Sequence, residues 1–234
     1  MNIIVSFNLC IILFSILFAL YYALPKYTGL SLVLKAQTWY LILVFIMQAS
    51  IAFLWWNGKQ NSFFVFHIGV VTDAIPLLLM YREMFKKHIE EKEVYVYRKI
   101  FIILIAFFVV FAIVNALCWQ PLNTYPSYTR TALSVVIILC SALHFYKYTY
   151  EPVPKEPLEL VEYVHTRVPL FWINMGLLLF TSATSLISIY GGVLFNDKEH
   201  AIKAANISII QAVLCFLFYI IIGIAFIKAK KRSR

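Results

Sequence analysis

Charge is what this chain lacks most. Only 13% of its 234 residues are Asp, Glu, Lys or Arg, against about 25% in a soluble domain. Hydrophobic residues make up 62%, and the mean hydropathy is +0.83. Those values exclude an ordinary water-soluble domain and predict a polytopic membrane protein. Acids are scarcer than bases, 11 against 20, for a net charge of +9. No RNP, zinc-finger or helix-turn-helix pattern accompanies that charge, so nucleic acid is not an expected partner. The four cysteines, Cys10, Cys118, Cys140 and Cys215, are widely separated. No C-x2-C pair offers a metal site, and small apolar filler is the simpler role. H-E-x-x-H, H-x-x-x-H, G-x-S-x-G and Walker A patterns are missing. No catalytic residue, metal or cofactor is therefore expected. A retinal-binding lysine is also missing: no lysine lies between Lys203 and Lys228 in the last apolar run. The PQ dipeptides of sugar-exporter relatives are absent as well. No cleavable signal peptide is expected, because Met1-Asn2 opens directly on a long apolar run without a basic n-region.

Long hydrophobic runs are what the chain has. Seven approach the ~20 residues a helix needs to cross the hydrocarbon. They are Ile3–Ala23, Thr38–Trp56, Ser62–Met80, Ile100–Trp119, Thr131–Tyr150, Val168–Leu194 and Ala204–Ile227. None shows the short alternating pattern of a barrel strand. The fold class expected is all-α, a seven-transmembrane-helix bundle forming one domain over 1–234.

Lys and Arg are distributed unevenly among the connections. Sixteen of the twenty fall on one side, in the stretches around Lys26–Lys35, Arg82–Lys99 and Lys147–Arg167 and in the tail from Lys228 to Arg234. Lys59, Arg130, Lys198 and Lys203 fall on the other. The positive-inside rule predicts an N-terminus outside and a C-terminus inside, in a cell inner membrane. The basic face implies anionic lipid as a partner. Trp39 and Trp172 fall at the inner interface, and Trp55, Trp56 and Trp119 at the outer one, as interfacial belts require. Residues 151–167 form an inner loop. After Pro152, Pro154 and Pro157, its Leu158–Val164 stretch is amphipathic and predicts a short interfacial helix. Residues 228–234 form a basic tail. A faint echo links Trp39-x8-Gln48 in the second span to Trp172-x8-Thr181 in the sixth, the pattern of a 3+1+3 parallel repeat.

Asp73 is the one acid placed at membrane depth, and a carboxylate there costs roughly 2.5–3.5 kcal/mol on insertion scales. It requires a partner, a proton or a purpose. Thr72 precedes it. Pro76 follows, removing one backbone bond and freeing the Thr72 carbonyl. Gln48, Ser182 and Gln211 lie at similar depth on other spans, and Ser182 has Thr181, Thr184 and Ser185 beside it. Asn174 adds another amide. Each is also a candidate for simple interhelical packing. His67 is six residues from Asp73, which turns the two side chains about 120° apart on a helix. A direct dyad is therefore not expected, although both can line a wide cavity. Gly69, Ala74, Ala106, Ala112, Ala116, Gly176 and Gly223 are the small residues through which helices can approach.

The string Pro169-Leu170-Phe171-Trp172-Ile173-Asn174-Met175-Gly176-Leu177-Leu178-Leu179-Phe180, together with Phe66-His67 through Asp73, resembles a family of Bacteroidota-type bacterial seven-helix integral membrane proteins. That family carries Glu where this chain has Asp73. It has no settled activity, and its genes often lie near sensor histidine kinases. The resemblance implies a signalling role with such a kinase as partner. The expected function is a non-enzymatic membrane sensor with a polar midplane pocket around Asp73. A small secondary transporter or proton-coupled carrier using Asp73 is the alternative, and a lipid-modifying enzyme the third.

Overall fold

A computed structural model describes the backbone of residues 3–58, 63–86, 91–150, 157–194 and 201–229. Seven α-helices account for nearly all of them: α1 (Ile3–Ala23), α2 (Leu32–Trp56), α3 (Phe63–Lys86), α4 (Glu91–Val114), α5 (Ser127–Tyr150), α6 (Pro157–Leu194) and α7 (Ala201–Lys228). All seven are long and apolar enough to cross a membrane. The chain is a multi-pass membrane protein, and no strand occurs among the described residues.

Several helices extend beyond the apolar runs. α2 starts six residues before Thr38, because Ser31 caps it by accepting from the Leu34 amide. The N-cap outweighs Lys35 as a boundary signal. α5 starts at Ser127 rather than Thr131, just after Pro126, whose carbonyl accepts from the Arg130 amide. The segment expected as a separate interfacial helix is instead the first turns of α6, which runs unbroken through Pro169. Pro157 opens it at a position where a missing N–H costs nothing. The tail beyond Ala229 lies outside the described residues.

α1 packs on α7 and α2, α2 on α3, α3 on α5, α5 on α6, and α6 on α7. Six helices thus close a ring. α4 lies outside that ring, against α3 and more lightly against α5. Its outer surface, with Ile103, Phe107 and Val110, is exposed as lipid contact demands. Ala106 faces outward with them and mediates no close packing. Gly223 and Gly176 do: a Cβ on Gly223 would come 2.5 Å from Phe18 Cε1 of α1, and one on Gly176 3.1 Å from Ile221 Cγ2 of α7.

Lys26 locks the ring at the end that carries the C-terminus. Its Nζ donates to the carbonyls of Phe226 (2.7 Å), Ile227 (3.2 Å) and Ala229 (3.0 Å). The last carbonyls of a helix have no partner within it, and the dipole favours a cation there. A lysine from the first connection therefore serves as the C-cap of the last helix.

Candidate functional site

The site is built around α3. At 1.5 Å per residue, Asp73 lies about 15 Å along α3 from Phe63, a little short of mid-helix. It lines a cavity of about 70 Å³ together with Tyr40 of α2, Arg130 and Ser134 of α5, Thr181, Thr184 and Ser188 of α6, and Gln211 of α7. Leu77, Leu133, Ile137, Leu177, Phe180 and Ile187 supply the apolar wall. Tyr125, from the segment between α4 and α5, closes the top. The cavity therefore runs from mid-bundle toward the end away from the C-terminus. It is not confined to the midplane.

Arg130 is the residue that decides the chemistry. It sits in the first turn of α5, and its long side chain turns inward. The guanidinium carbon lies 5.3 Å from the centre of the Phe66 ring and 6.0 Å from that of Tyr125, within cation–π range. Nη2 lies 3.2 Å from where a Cβ on Gly69 would be. Any larger residue at position 69 would crowd the guanidinium, and it would collide with the Met47 thioether from α2. Glycine at 69 thus lets a cation lie against α3 one turn from the acid.

The two charges line one cavity but do not form a contact ion pair. Asp73 and Arg130 stay more than 4.0 Å apart, unlike Arg82 and Glu83, which pair at 2.6 Å. Asp73 Oδ1 is buried without a hydrogen-bond partner, and so are Nε and Nη2 of Arg130. A carboxylate and a guanidinium therefore present unused acceptors and donors to one small polar space.

Toward the C-terminal end of the cavity, Tyr40 of α2 and Tyr219 of α7 are both buried. Gln37 lies three residues from Tyr40, on the same side of α2. It is fully buried with both side-chain atoms unpaired. A polar seam thus extends from the cavity past its floor.

The sequence-derived candidates divide sharply. Asp73 and Gln211 line the cavity. Thr72 does not: its hydroxyl donates 3.0 Å to the Gly69 carbonyl of its own helix, rather than joining the acid at Pro76. Gln48 is absent from the lining, and Ser182 is exposed on the outer face of α6. Thr181, Thr184 and Ser188 occupy the inward positions, since 3.6-residue periodicity puts i, i+3 and i+7 on one face. His67 is buried, and its Nε2 lies 3.0 Å from the Thr124 carbonyl. A carbonyl can only accept, so Nε2 carries the proton. His67 thus ties α3 to the α4–α5 connection and takes no part in the cavity lining.

Asn174 belongs to a second, separate polar cluster. The Tyr81 hydroxyl donates 2.9 Å to Asn174 Oδ1, and Asn174 Nδ2 donates 3.1 Å to the Ser141 carbonyl. Ser141 Oγ lies 2.5 Å from the Tyr81 oxygen. The one phenolic proton is already committed, so the serine must be the donor. All three residues are fully buried. This closed network joins α3, α5 and α6 with every polar group used, which is the arrangement of interhelical glue.

The distribution of Lys and Arg along the chain places Arg130 in a connection and does not mark it as a site residue. One signal pointed to it. A helix begun after Pro126 puts a cation in its first turn, where the dipole opposes it, so Arg130 needs an acid. Among the described residues, no three His, Cys, Asp or Glu side chains come together as a metal-binding group. The four cysteines are separate thiols. No family model, curated protein or solved structure matches the chain.

Proposed function

We propose that the protein is a non-enzymatic membrane sensor, oriented with its N-terminus outside and its C-terminus in the cytoplasm of a bacterial inner membrane. The sensing site is the cavity between Asp73 and Arg130. The observation that carries this reading is that the two opposite charges share one small polar space without contact. A small dipolar solute fits such a site, with its acceptor end toward Arg130 and its donor or cationic end toward Asp73. Binding would draw α3 and α5 together, and both helices lead to the basic end of the bundle. That end carries Lys86 and Lys147, cations that a cytoplasmic partner such as a histidine kinase would meet. Occupancy of a cavity that bridges two helices biases their spacing only by its differential affinity for the two arrangements.

Thermal-shift measurements on the purified full-length protein would test this, with glycine, small amino acids and betaine as probes. Stabilisation by a dipolar probe that is lost in both Asp73→Asn and Arg130→Gln is the expected result. Stabilisation by none of them, or an undiminished shift in the variants, would sink the sensing site. A pull-down with the cytoplasmic face that recovers no kinase would remove the partner.

A second reading is a small secondary transporter with Asp73 as coupling acid. It is favoured by the position of α4 outside the ring, which leaves α1–α3 and α5–α7 as two triplets around the cavity. α2 and α6, which carry the Trp39-x8-Gln48 and Trp172-x8-Thr181 echo, are the middle helices of those triplets. Proton-gradient-driven uptake in proteoliposomes, abolished by Asp73→Asn, distinguishes this reading from sensing.

A further inference from the structure

A second cavity lies on the opposite side of α3, between α2 and α3 at the C-terminal end of the bundle. It is much larger, about 430 Å³, and its lining is segregated by chemistry. Leu43, Ile75, Pro76 and Leu79 line its deeper part. Lys35, Arg82, Glu83 and Tyr27 gather toward the end where α2 begins and α3 finishes. From Lys35 to Leu43, and from Arg82 to Ile75, the groove is roughly 10–12 Å long at 1.5 Å per residue.

The polar end is equipped to receive an anion. Arg82 donates from Nε (3.0 Å) and Nη2 (2.6 Å) to Glu83 Oε1. That uses two of its five N–H donors, and Glu83 cancels one of the two positive charges. The Lys35 ammonium rests over the Tyr27 ring at 5.6 Å, and among the described residues it has no hydrogen-bond or ion-pair partner. Trp39 Nε1 donates 2.9 Å to the Tyr27 oxygen, which leaves the phenolic proton free to donate in turn. An ammonium, the remaining guanidinium N–H groups and a phenol thus converge beside an apolar trough. The charge match favours an anion, and the trough favours an acyl chain.

We propose that this groove holds one anionic phospholipid of the leaflet on the C-terminal side. Its phosphate lies between Lys35 and Arg82, and the upper part of one acyl chain lies along Leu43, Ile75 and Leu79. Basic pockets between transmembrane helices recognise acidic headgroups in this way. Tyr and Trp are at home at that depth. The site is distinct from the Asp73 cavity and does not depend on what that cavity binds. The two share α2 and α3: α2 presents Tyr40 to one and Lys35, Trp39 and Leu43 to the other, and α3 presents Asp73 and Leu77 to one and Ile75, Pro76 and Leu79 to the other.

The test uses the full-length protein in nanodiscs, with photoactivatable phosphatidylglycerol or phosphatidylcholine at trace levels. Phosphatidylglycerol should crosslink preferentially to peptides containing Leu43 and Leu79. Lys35→Gln should lower that preference about five-fold, the effect of one basic residue at a membrane surface. Lys99→Gln, a cation at the same end but outside the groove, should leave it unchanged. Leu79→Trp, which fills the trough, should reduce crosslinking of both lipids while the protein keeps its melting temperature. Equal crosslinking of the two lipids in the wild type overturns the proposal. So does an equal loss in Lys35→Gln and Lys99→Gln, which would mark general surface attraction instead of a site.

Discussion

Arg130 and Asp73 face one cavity from α5 and α3, yet the guanidinium stays more than 4.0 Å from the carboxylate. Phe66 and Tyr125 hold the guanidinium from above, and Gly69 gives it room against α3. The separation is therefore built into the surroundings. It distinguishes this pair from Arg82–Glu83, which closes to 2.6 Å at the edge of the bundle.

Coupling between the charges can be measured directly. Asp73→Asn and Arg130→Gln each leave one partly buried charge without its counterpart, and each should lower thermal stability in detergent. The double variant should lose less than the sum of the two. A coupling energy of about 0.5–3 kcal/mol is expected for groups sharing a site. Strict additivity would show that the two charges do not sense each other.

The second polar cluster predicts an order of severity. Tyr81→Phe deprives the buried Asn174 Oδ1 of its donor, at a cost of about 1–3 kcal/mol. Ser141→Ala removes only a donor to a phenolic oxygen and should cost less. Unfolding midpoints of the two variants check this, and the reverse order would overturn the donor assignment.

Lys26 should matter locally more than globally. Lys26→Met removes the donor to three carbonyls at the end of α7. The expected cost is about 1–2 kcal/mol, from a helix-terminal charge in a partly buried setting. Hydrogen exchange should rise around Phe226–Ala229 and little elsewhere. Unaltered protection there would mean the lysine does not cap the helix.

Two glycines should fail for different reasons. Gly223→Ala drives a methyl into Phe18 and should loosen α1 from α7, with a loss of about 1–3 kcal/mol from overpacking. Gly58→Ala meets nothing within 4 Å, but its φ of +74° is left-handed, which costs about 1 kcal/mol. Phe18→Ala should rescue Gly223→Ala in a double variant and leave Gly58→Ala unaffected.

Much of the architecture was legible because a bilayer restricts the options. Seven apolar runs of near-spanning length can hardly become anything but helices, since unsatisfied backbone groups are so costly in lipid. Helix ends were harder. Ser31 and Pro126 start α2 and α5 ahead of the apolar runs, because capping chemistry rather than hydropathy sets where a helix begins. The place of Asp73 near the middle of α3 was readable from the apolar run, and its divergence from His67 from helical periodicity. Gln48, Ser182 and Thr72 stay out of the cavity lining, because position along a helix cannot by itself assign rotation about its axis.

What the sequence by itself determined was the class of protein, the number of helices and the presence of one expensive acid. The identity of the acid's counterpart was decided only by tertiary structure. Arg130 lies 57 residues from Asp73, on a helix that reaches it by packing α5 against α3, with α4 left outside the ring. The pairing needs a glycine at 69 and two aromatic rings to hold the guanidinium in place. Those contacts join distant segments, and helix-to-helix packing, not local periodicity, brings them together.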